Sequence, residues 1–368
     1  MKQEWRAACM RRMCPPERAA ACSMPEDDSL INTLYKLKSP RVIEAFYEDL
    51  APRETDILVR PEKLSICKAD LRYFYGMRDA NILKQKLPLT LIHEAAGRVL
   101  IDPAGRFRKG DRVVLLPNIP GTDTRAEENY RRDSRFRSSS ADGFMQELVA
   151  LPESQLVRYE SIPADIAAFT EFISVGVHAV TTYRNRCRNL PRRIGVWGDG
   201  SLGYSIASIL KYYLPDVTVA VIGVQRSKLE LFQFADEIYT IDEVDPETVW
   251  FDDVFECVGG QPSADAIAQM IDVIRPEGTM MLLGVSETPV AVNTRMVLEK
   301  GLTLIGRSRS GRDSFQEAVR ILETDARFAR RMKPLISEVV DIQKIGDIHR
   351  AFAAAHGADF KVVMNWDI

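Results

Sequence analysis

The sequence has 368 residues, of which 46% are hydrophobic, and a formal net charge of −3. This length is sufficient for two domains with hydrophobic cores of their own, and the nearly balanced charge gives no electrostatic reason to expect a nucleic-acid partner. No apolar run approaches the roughly 20 residues that a membrane span requires. The six cysteines show no paired spacing, so we expect a cytoplasmic protein without a disulfide framework.

Residues 1–29 differ in composition from the rest of the chain. They combine four arginines with three cysteines and a Pro-Pro pair, but lack the continuous apolar stretch of a secretory signal. No histidine or fourth thiol lies near these cysteines to complete a metal site. We expect residues 1–29 to be a disordered extension, with the functional chain beginning near Leu30.

The segment from residue 30 to about residue 151 is typical of a β-rich domain. Runs of strand-forming residues at 57–61, 97–101 and 111–116 are separated by proline and glycine turns. Residues 118–140 are polar and charged without an apolar period. We expect them to form a long surface excursion, and long loops within compact domains are usually functional or disordered.

A glycine-rich turn between two apolar segments is the strongest motif in the sequence. It consists of an apolar strand at 194–197, a G-x-G-x-x-G turn, a helical pattern at 204–213 and a second apolar strand at 217–222. This order of elements predicts the first βαβ unit of a dinucleotide-binding fold. A purely structural turn would not require three glycines in this register.

The residues expected to bind the cofactor pyrophosphate lie in this turn. Glycines permit a tight turn and a close approach of the backbone to the phosphates, while the free N–H groups of the helix N-terminus face the anion. The predicted contacts are Gly198, Gly200, Ser201, Leu202 and Gly203.

The end of the second apolar strand indicates which dinucleotide is bound. An NAD site normally has an acidic residue about 20 residues after the glycines, whereas this sequence has Gly223, followed by Arg226 and Lys228. A carboxylate about 4 Å from a 2′-phosphate would cost on the order of 4 kcal/mol at an effective dielectric of 20. Its absence favours NADP, although two cations at the start of a helix are also common on protein surfaces.

Strand and helix patterns alternate through the remainder of the chain. Strands are predicted at 237–241, 251–257, 279–283, 302–306 and 360–366, and helices at 264–274, 315–322 and 345–355. This alternation is typical of a doubly wound parallel sheet. We therefore predict an α/β protein with a Rossmann-type domain at 175–307 and a β-rich catalytic domain at 30–174, completed by residues 308–368.

A thiol, an imidazole and two carboxylates occur in the β-rich segment. Cys67 is followed by Asp70, and His93 is followed by Glu94; the chain has only four histidines. A catalytic zinc ion needs three protein ligands and one open position. Taken alone, however, residues such as Cys67 and His93 are more often a buried thiol and a hydrogen-bonded core histidine.

Together with the glycine motif, these residues resemble the zinc-dependent medium-chain dehydrogenases, and the resemblance extends from Leu30 to Ile368. Within that superfamily the sequence is similar to the ribitol-5-phosphate 2-dehydrogenase family of the CDP-ribitol pathway. The similar stretches are 65–73, 85–94, 136–146, 197–200, 255–260 and 283–311, of which the last is the most specific. The resemblance implies a GroES-like catalytic domain beside the Rossmann-type domain.

The resemblance also implies the metal ligands. Cys67, His93 and Glu94 match the zinc ligands of the superfamily, and Glu171 matches a carboxylate found beside the metal, although an acid at a helix N-terminus is common for other reasons. Residues 118–140 contain no cysteine, so we expect one catalytic Zn²⁺ per subunit and no structural zinc. The polar residue that often relays the proton is replaced by Ala69, which leaves Asp70 or a water at the metal for that role.

The activity implied by the resemblance is reduction of D-ribulose 5-phosphate to D-ribitol 5-phosphate by NADPH, which would supply CDP-ribitol for teichoic acid or capsule polymers in the cell wall. The resemblance further implies a homodimer and, as a functional partner, a ribitol-5-phosphate cytidylyltransferase. A phosphosugar needs cations, and the candidates are Arg72, Arg78, Lys86, Arg307 and Arg309.

Two other functions are compatible with the sequence. One is a zinc polyol dehydrogenase that acts on an unphosphorylated sugar alcohol. The other is a nucleotide-binding regulatory protein without catalytic activity. Comparing the turnover of phosphorylated and free sugars would distinguish the two enzymes. Tightly bound zinc would exclude the regulatory protein.

Overall fold

The computed structural model describes residues 30–187 and 191–368; our expectation for residues 1–29 lies outside them. The chain divides into two compact units. The first unit contains residues 30–171 and Glu338–Ile368, and the second contains Phe172–Ser337. Among the described residues, no helix has both the length and the hydropathy to cross a membrane.

The strands are β1 (Leu30–Ser39), β2 (Val42–Leu50), β3 (Ile57–Ser65), β4 (Leu89–Thr90), β5 (Glu94–Ile101), β6 (Arg112–Leu115), β7 (Asn118–Ile119), β8 (Arg135–Phe136), β9 (Val149–Leu151), β10 (Leu156–Arg158), β11 (Arg193–Trp197), β12 (Thr218–Gly223), β13 (Glu237–Thr240), β14 (Asp253–Glu256), β15 (Thr279–Leu282), β16 (Thr303–Gly306), β17 (Ile336–Ile342) and β18 (Lys361–Trp366).

The α-helices are α1 (Lys68–Phe74), α2 (Ala80–Lys86), α3 (Ala164–Ala167), α4 (Thr170–Arg186), α5 (Ser201–Tyr213), α6 (Arg226–Leu229), α7 (Ser263–Val273), α8 (Thr294–Lys300), α9 (Arg312–Thr324), α10 (Ala326–Met332) and α11 (Ile345–Gly357).

The first unit is built on a seven-stranded sheet. Its strands follow the order β10-β6-β5-β3-β18-β17, with β9 also paired to β3. Strand β18, from the end of the chain, pairs antiparallel with β3, so the C-terminal segment completes this sheet. Helix α11 covers the core with Ile348, Ala351, Phe352 and Ala355, whose spacing places them on one helix face.

The second unit is the doubly wound parallel sheet that the sequence predicted. Its order is β13-β12-β11-β14-β15-β16, and every adjacent pair is parallel. The order changes direction at β11, and in such sheets ligands bind beyond the carboxyl ends of the strands at this point. The turn between β11 and α5 carries Gly198 and Gly200 at that position, and Gly203 lies in the first turn of α5.

The boundary between the units differs from the sequence-based expectation. We expected residues 308–368 to complete the first unit, but only Glu338–Ile368 do so. Helices α9 and α10 pack against α5, where the Tyr213 hydroxyl donates to Glu317 Oε1 at 2.5 Å and the Tyr212 ring lies 5.8 Å from that of Phe328. Aromatic residues at the end of α5 therefore hold the two helices in the second unit.

The polar excursion at 118–140 is ordered by hydrogen bonds rather than by an apolar core. Strands β7 and β8 pair at its base. Near its middle, the Ser134 hydroxyl accepts from the Gly121 N–H and donates to the Glu128 carbonyl, and Asp133 accepts from the Thr122 N–H. These contacts close the loop within the first unit, and Ser138 near its end is buried.

Candidate active site

Cys67 occupies the turn between β3 and α1. It is the N-cap residue of α1 and has an extended backbone. Its N–H donates to Asp70 Oδ2 at 3.1 Å, so the first helical turn fixes the direction in which the thiol projects. Cys67 is a free cysteine and is half-buried.

His93 and Glu94 are positioned by a buried turn before β5. Ile92 has a positive φ of 71°, which is rare and strained for a β-branched residue. Its N–H donates to Asp70 Oδ1 at 3.2 Å and its carbonyl accepts from the Phe144 N–H at 2.8 Å. These bonds hold the strained turn, and the turn directs the two side chains that follow it toward Cys67.

The structure brings three of the four predicted metal ligands into one cluster. Potential ligand atoms of Cys67, His93 and Glu94 all lie within 4.8 Å of one another. Oε2 of Glu94 is buried and has no hydrogen-bond partner in the described part of the chain. Burial of an acceptor without a partner is unfavourable by its desolvation free energy, and a bound cation would compensate for it. A sulfur, a nitrogen and an unsatisfied carboxylate oxygen match the donor set of a catalytic Zn²⁺ site, so the residues present fit this ion.

Asp70 lies next to the cluster and contacts His93. It is completely buried and also accepts from the Ser138 hydroxyl at 2.5 Å, and its Oδ1 lies 3.5 Å from Nδ1 of His93. Burial raises the pKa of Asp70, but attraction to His93 and the hydrogen bonds from Ser138 and Cys67 outweigh it and lower that pKa. Asp70 thus orients the His93 ring, leaving Nε2 as the nitrogen able to bind a cation.

Glu171 lies beside the cluster, in the first turn of α4. It is buried, and burial together with repulsion from Glu94 and Asp70 raises its pKa to about 7, against the opposing attraction of His93 and Lys361. Glu171 is not part of the group whose ligand atoms lie within 4.8 Å of one another. Glu171 is therefore an acid close to the candidate metal ligands, and its raised pKa means that it carries a proton near neutral pH.

Lys361 is a member of the site that the sequence analysis missed. It is 5% exposed, begins β18, and its Nζ lies 2.5 Å from Oε1 of Glu94. Burial lowers the pKa of Lys361, but the attraction of Glu94, Cys67 and Glu171 outweighs it, and the pKa is raised. The only sequence signal is a lysine at the start of an apolar strand, which is uncommon because buried lysines require a charge partner.

The glycine turn has the geometry that a close approach to phosphate requires. Gly198 has a φ of 127°, a conformation that side chains rarely adopt. A Cβ on Gly203 would lie 1.8 Å from the Gly198 carbonyl oxygen. Gly200 is the N-cap of α5, whose first residues are Ser201 and Leu202. The first-turn N–H groups of this helix therefore border an open glycine turn.

The end of β12 shows a contact that the sequence did not reveal. Oδ2 of Asp199 accepts from the N–H groups of Val224 and Gln225 at 2.9 Å each, and a Cβ on Gly223 would lie 2.6 Å from the Asp199 Cβ. Gly223 therefore leaves space for the Asp199 side chain. This is a structural reason for a glycine here, and it is independent of whether the cofactor is NAD or NADP. Arg226 pairs with Glu243 at 3.0 Å, with both side chains about half exposed.

The predicted phosphate-binding cations fall into two groups. Arg72, Arg78 and Lys86 are in the first unit with the candidate metal ligands, whereas Arg307 and Arg309 are in the second. Arg78 and Lys86 meet at Tyr73, with the guanidinium carbon 4.6 Å and the ammonium nitrogen 5.8 Å from the ring centroid. The Arg307 Nε–H donates to the Thr182 hydroxyl at 3.0 Å.

Comparison with known families identifies both parts of the chain. Residues 53–163 match the alcohol dehydrogenase GroES-like domain, and residues 164–366 match the glucose dehydrogenase C-terminus. The chain is 43% identical over 348 residues to the ribulose-5-phosphate reductase of Streptococcus pneumoniae, covering 94% of this chain and 100% of that protein. The chain belongs to the ribulose-5-phosphate reductase family of zinc-dependent medium-chain dehydrogenases.

Other members of the reductase family agree in sequence and structure. Ribulose-5-phosphate reductase 1 of Staphylococcus aureus is 43% identical, covering 92% of this chain and 99% of that protein. The crystal structure of S. aureus TarJ in complex with NADPH is 40% identical with a TM-score of 0.83, covering 92% of this chain and 100% of that one. L-idonate 5-dehydrogenase of Escherichia coli, at 22% identity and a TM-score of 0.79, shares the fold.

The raised pKa of Glu171 leads to a prediction for zinc binding. In the metal-free protein Glu171 is protonated below about pH 7, and a carboxylate must lose its proton to face a cation. We expect the zinc affinity of the wild type to fall as the pH is lowered from 8 to 6. In Glu171→Gln, the decrease in zinc affinity between pH 8 and pH 6 should be about tenfold smaller than in the wild type. This factor corresponds to the one pKa unit between pH 6 and the Glu171 pKa of about 7.

The measurement is a competition titration of metal-free protein with a chromogenic chelator at each pH. Glu338→Gln, an exposed acid in the same unit, is the matched control and should keep the wild-type dependence. Identical pH dependence in the wild type and Glu171→Gln would contradict a location of Glu171 beside the metal.

Proposed function

We propose that this chain reduces the C2 carbonyl of D-ribulose 5-phosphate to D-ribitol 5-phosphate with NADPH as the hydride donor. The observation that carries the proposal is the cluster of Cys67, His93 and Glu94 with an unsatisfied, buried Glu94 oxygen. Support comes from 43% identity to the reductase of S. pneumoniae over nearly the whole chain and from the NADPH bound to the similar S. aureus structure.

The first unit supplies the residues that would hold the metal. Cys67, His93 and Glu94 are the proposed ligands, and Glu171 is the neighbouring carboxylate. A Zn²⁺ ion held by these residues would act as a Lewis acid able to polarise the substrate carbonyl. Lys361 neutralises part of the negative charge of this cluster and holds Oε1 of Glu94, so that Oε2 remains free to face the cation.

Asp70 acts in this proposal as a positioning residue. Its two oxygens already accept from two backbone N–H groups and the Ser138 hydroxyl and face His93. A proton relay through Asp70 would have to break these contacts in a fully buried environment. We therefore assign Asp70 to the orientation of His93, and not to proton transfer with the substrate.

The second unit would bind NADPH at its glycine turn. The pyrophosphate would face the N-terminus of α5 beside Gly198, Gly200 and Gly203. Arg226 and Lys228 are the proposed partners of the 2′-phosphate. The Arg226–Glu243 pair is half exposed, and such pairs contribute little, so a phosphate can replace Glu243 at small cost.

The same proposal includes a homodimer, a cytoplasmic location and a role in ribitol-polymer synthesis. Strand β16 is at the edge of the six-stranded sheet, and nearby Leu298 and Val285 are 80% and 56% exposed. Unpaired edges and exposed apolar side chains favour association.

The free cysteines among the described residues fit a reducing compartment. A cytidylyltransferase would consume the product to form CDP-ribitol.

Replacement of a motif glycine tests the proposed cofactor site. In Gly203→Ala, the new Cβ would clash with the Gly198 carbonyl oxygen, so we expect NADPH affinity to fall by more than about tenfold. Gly346→Ala is the control because nothing lies within 4 Å of its Cβ. Fluorescence titration with NADPH measures both, and equal affinities would exclude the glycine turn as the binding site.

The activity itself is tested by NADPH oxidation with ribulose 5-phosphate. We expect turnover that a chelator removes and Zn²⁺ restores, and Cys67→Ala should lose turnover while keeping NADPH affinity because the thiol belongs to the first unit. Free ribulose and sorbitol are the comparison substrates. Preference for either would support a polyol dehydrogenase, and NADPH binding without any turnover would support a regulatory protein.

A further inference from the structure

Lys86 has an unusual environment for a lysine in this protein. Its Nζ donates to the Tyr73 hydroxyl and to the Ser139 hydroxyl, both at 3.1 Å. Both partners are neutral, and an ammonium has three donors, so one N–H of Lys86 remains. The side chain is half-buried at the end of α2, which limits its motion while leaving it accessible.

Four other lysines of the first unit have acidic partners. Lys36 pairs with Glu48, Lys38 with Glu44, Lys63 with Asp165 and Lys361 with Glu94. Among residues 30–187 and 191–368, no carboxylate lies within salt-bridge distance of Lys86. Its positive charge is therefore held in place by hydroxyl groups without being neutralised by an acid. The guanidinium of Arg78 lies over the same Tyr73 ring.

Two adjacent serines connect Lys86 to the metal cluster. Ser138 donates to Asp70 at 2.5 Å, and Ser139 accepts from Lys86. Asp70 and Tyr73 are three residues apart on α1. They therefore share a helix face and are about 4.5 Å apart along the helix axis. Tyr73 thus lies about one helical turn from the carboxylate that orients His93, and Lys86 contacts the hydroxyl of Tyr73.

We propose that Lys86, with the hydroxyls of Ser139 and Tyr73, binds the phosphate of the sugar-phosphate substrate. This inference rests on the proposed function and selects one of the five cations that the sequence offered. Three carbons and the ester oxygen separate the carbonyl carbon of ribulose 5-phosphate from phosphorus. Such a substrate spans about one helical turn, with its carbonyl toward the cluster and its phosphate at Lys86, where charge-assisted hydrogen bonds form.

The excursion at 118–140 gains a function from this arrangement. Its final residues carry both serines, and Ser138 has a positive φ of 62° while being buried. With this backbone conformation, the hydroxyl of Ser138 contacts Asp70 and the hydroxyl of Ser139 contacts Lys86. One short segment therefore contacts both the support of the metal ligands and the proposed phosphate subsite.

The test is steady-state kinetics of Lys86→Ala with ribulose 5-phosphate. The KM should rise about 10- to 100-fold, as expected for loss of a hydrogen bond to a charged group, while the NADPH Kd and zinc content stay at wild-type values. Lys86→Arg should recover part of the affinity. Lys84→Ala, an exposed lysine on the same helix, is the matched control and should keep the wild-type KM.

Competitive inhibition by inorganic phosphate gives a second readout that does not depend on the sugar. Inhibition should weaken in Lys86→Ala by a similar factor and persist in Lys84→Ala. If wild type turns over ribulose 5-phosphate and the KM of Lys86→Ala matches that of Lys84→Ala, the subsite is wrong while the proposed function stands. If wild type shows no turnover of ribulose 5-phosphate, the proposed function fails and this inference fails with it.

Discussion

The buried Asp70 carboxylate is the contact on which the proposed metal site depends. It accepts hydrogen bonds from α1, from the turn before β5 and from the end of the polar excursion, and it faces His93. A buried charge is unfavourable unless it is paired and hydrogen-bonded. Because these partners come from three separate segments, folding of the first unit satisfies Asp70 and aligns Cys67 with His93 in the same step.

The side chains around the cluster carry an excess of negative charge, which favours the binding of a cation. A thiol, two carboxylates and an imidazole meet one lysine, Lys361, which is buried among them. The pKa of His93 is raised well above its usual value because attraction to Asp70 and Cys67 outweighs burial. A proton at this position and a bound metal ion satisfy the same excess negative charge, so the two compete.

The sequence predicted features that depend on local patterns. The glycine register and the alternating parallel strands could be recognised because their residues are close in sequence, and the candidate ligands Cys67, His93 and Glu94 because they lie in short stretches that resemble a known family. Lys361 could not, since 267 residues separate it from Glu94. Asp199 was likewise missed, because only the fold brings it to the end of β12. The position of α9 and α10 in the second unit depends on contacts with Tyr212 and Tyr213 that no periodicity shows.

The most direct test of the central claim is zinc K-edge X-ray absorption spectroscopy on protein reconstituted with one equivalent of Zn²⁺. The proposed site predicts a single zinc per chain with one sulfur neighbour at about 2.3 Å and nitrogen or oxygen neighbours at about 2.0–2.2 Å. In Cys67→Ala the sulfur contribution should disappear. A spectrum with no sulfur in the wild type, or with sulfur retained in Cys67→Ala, would contradict the assignment of Cys67, His93 and Glu94 as the metal ligands.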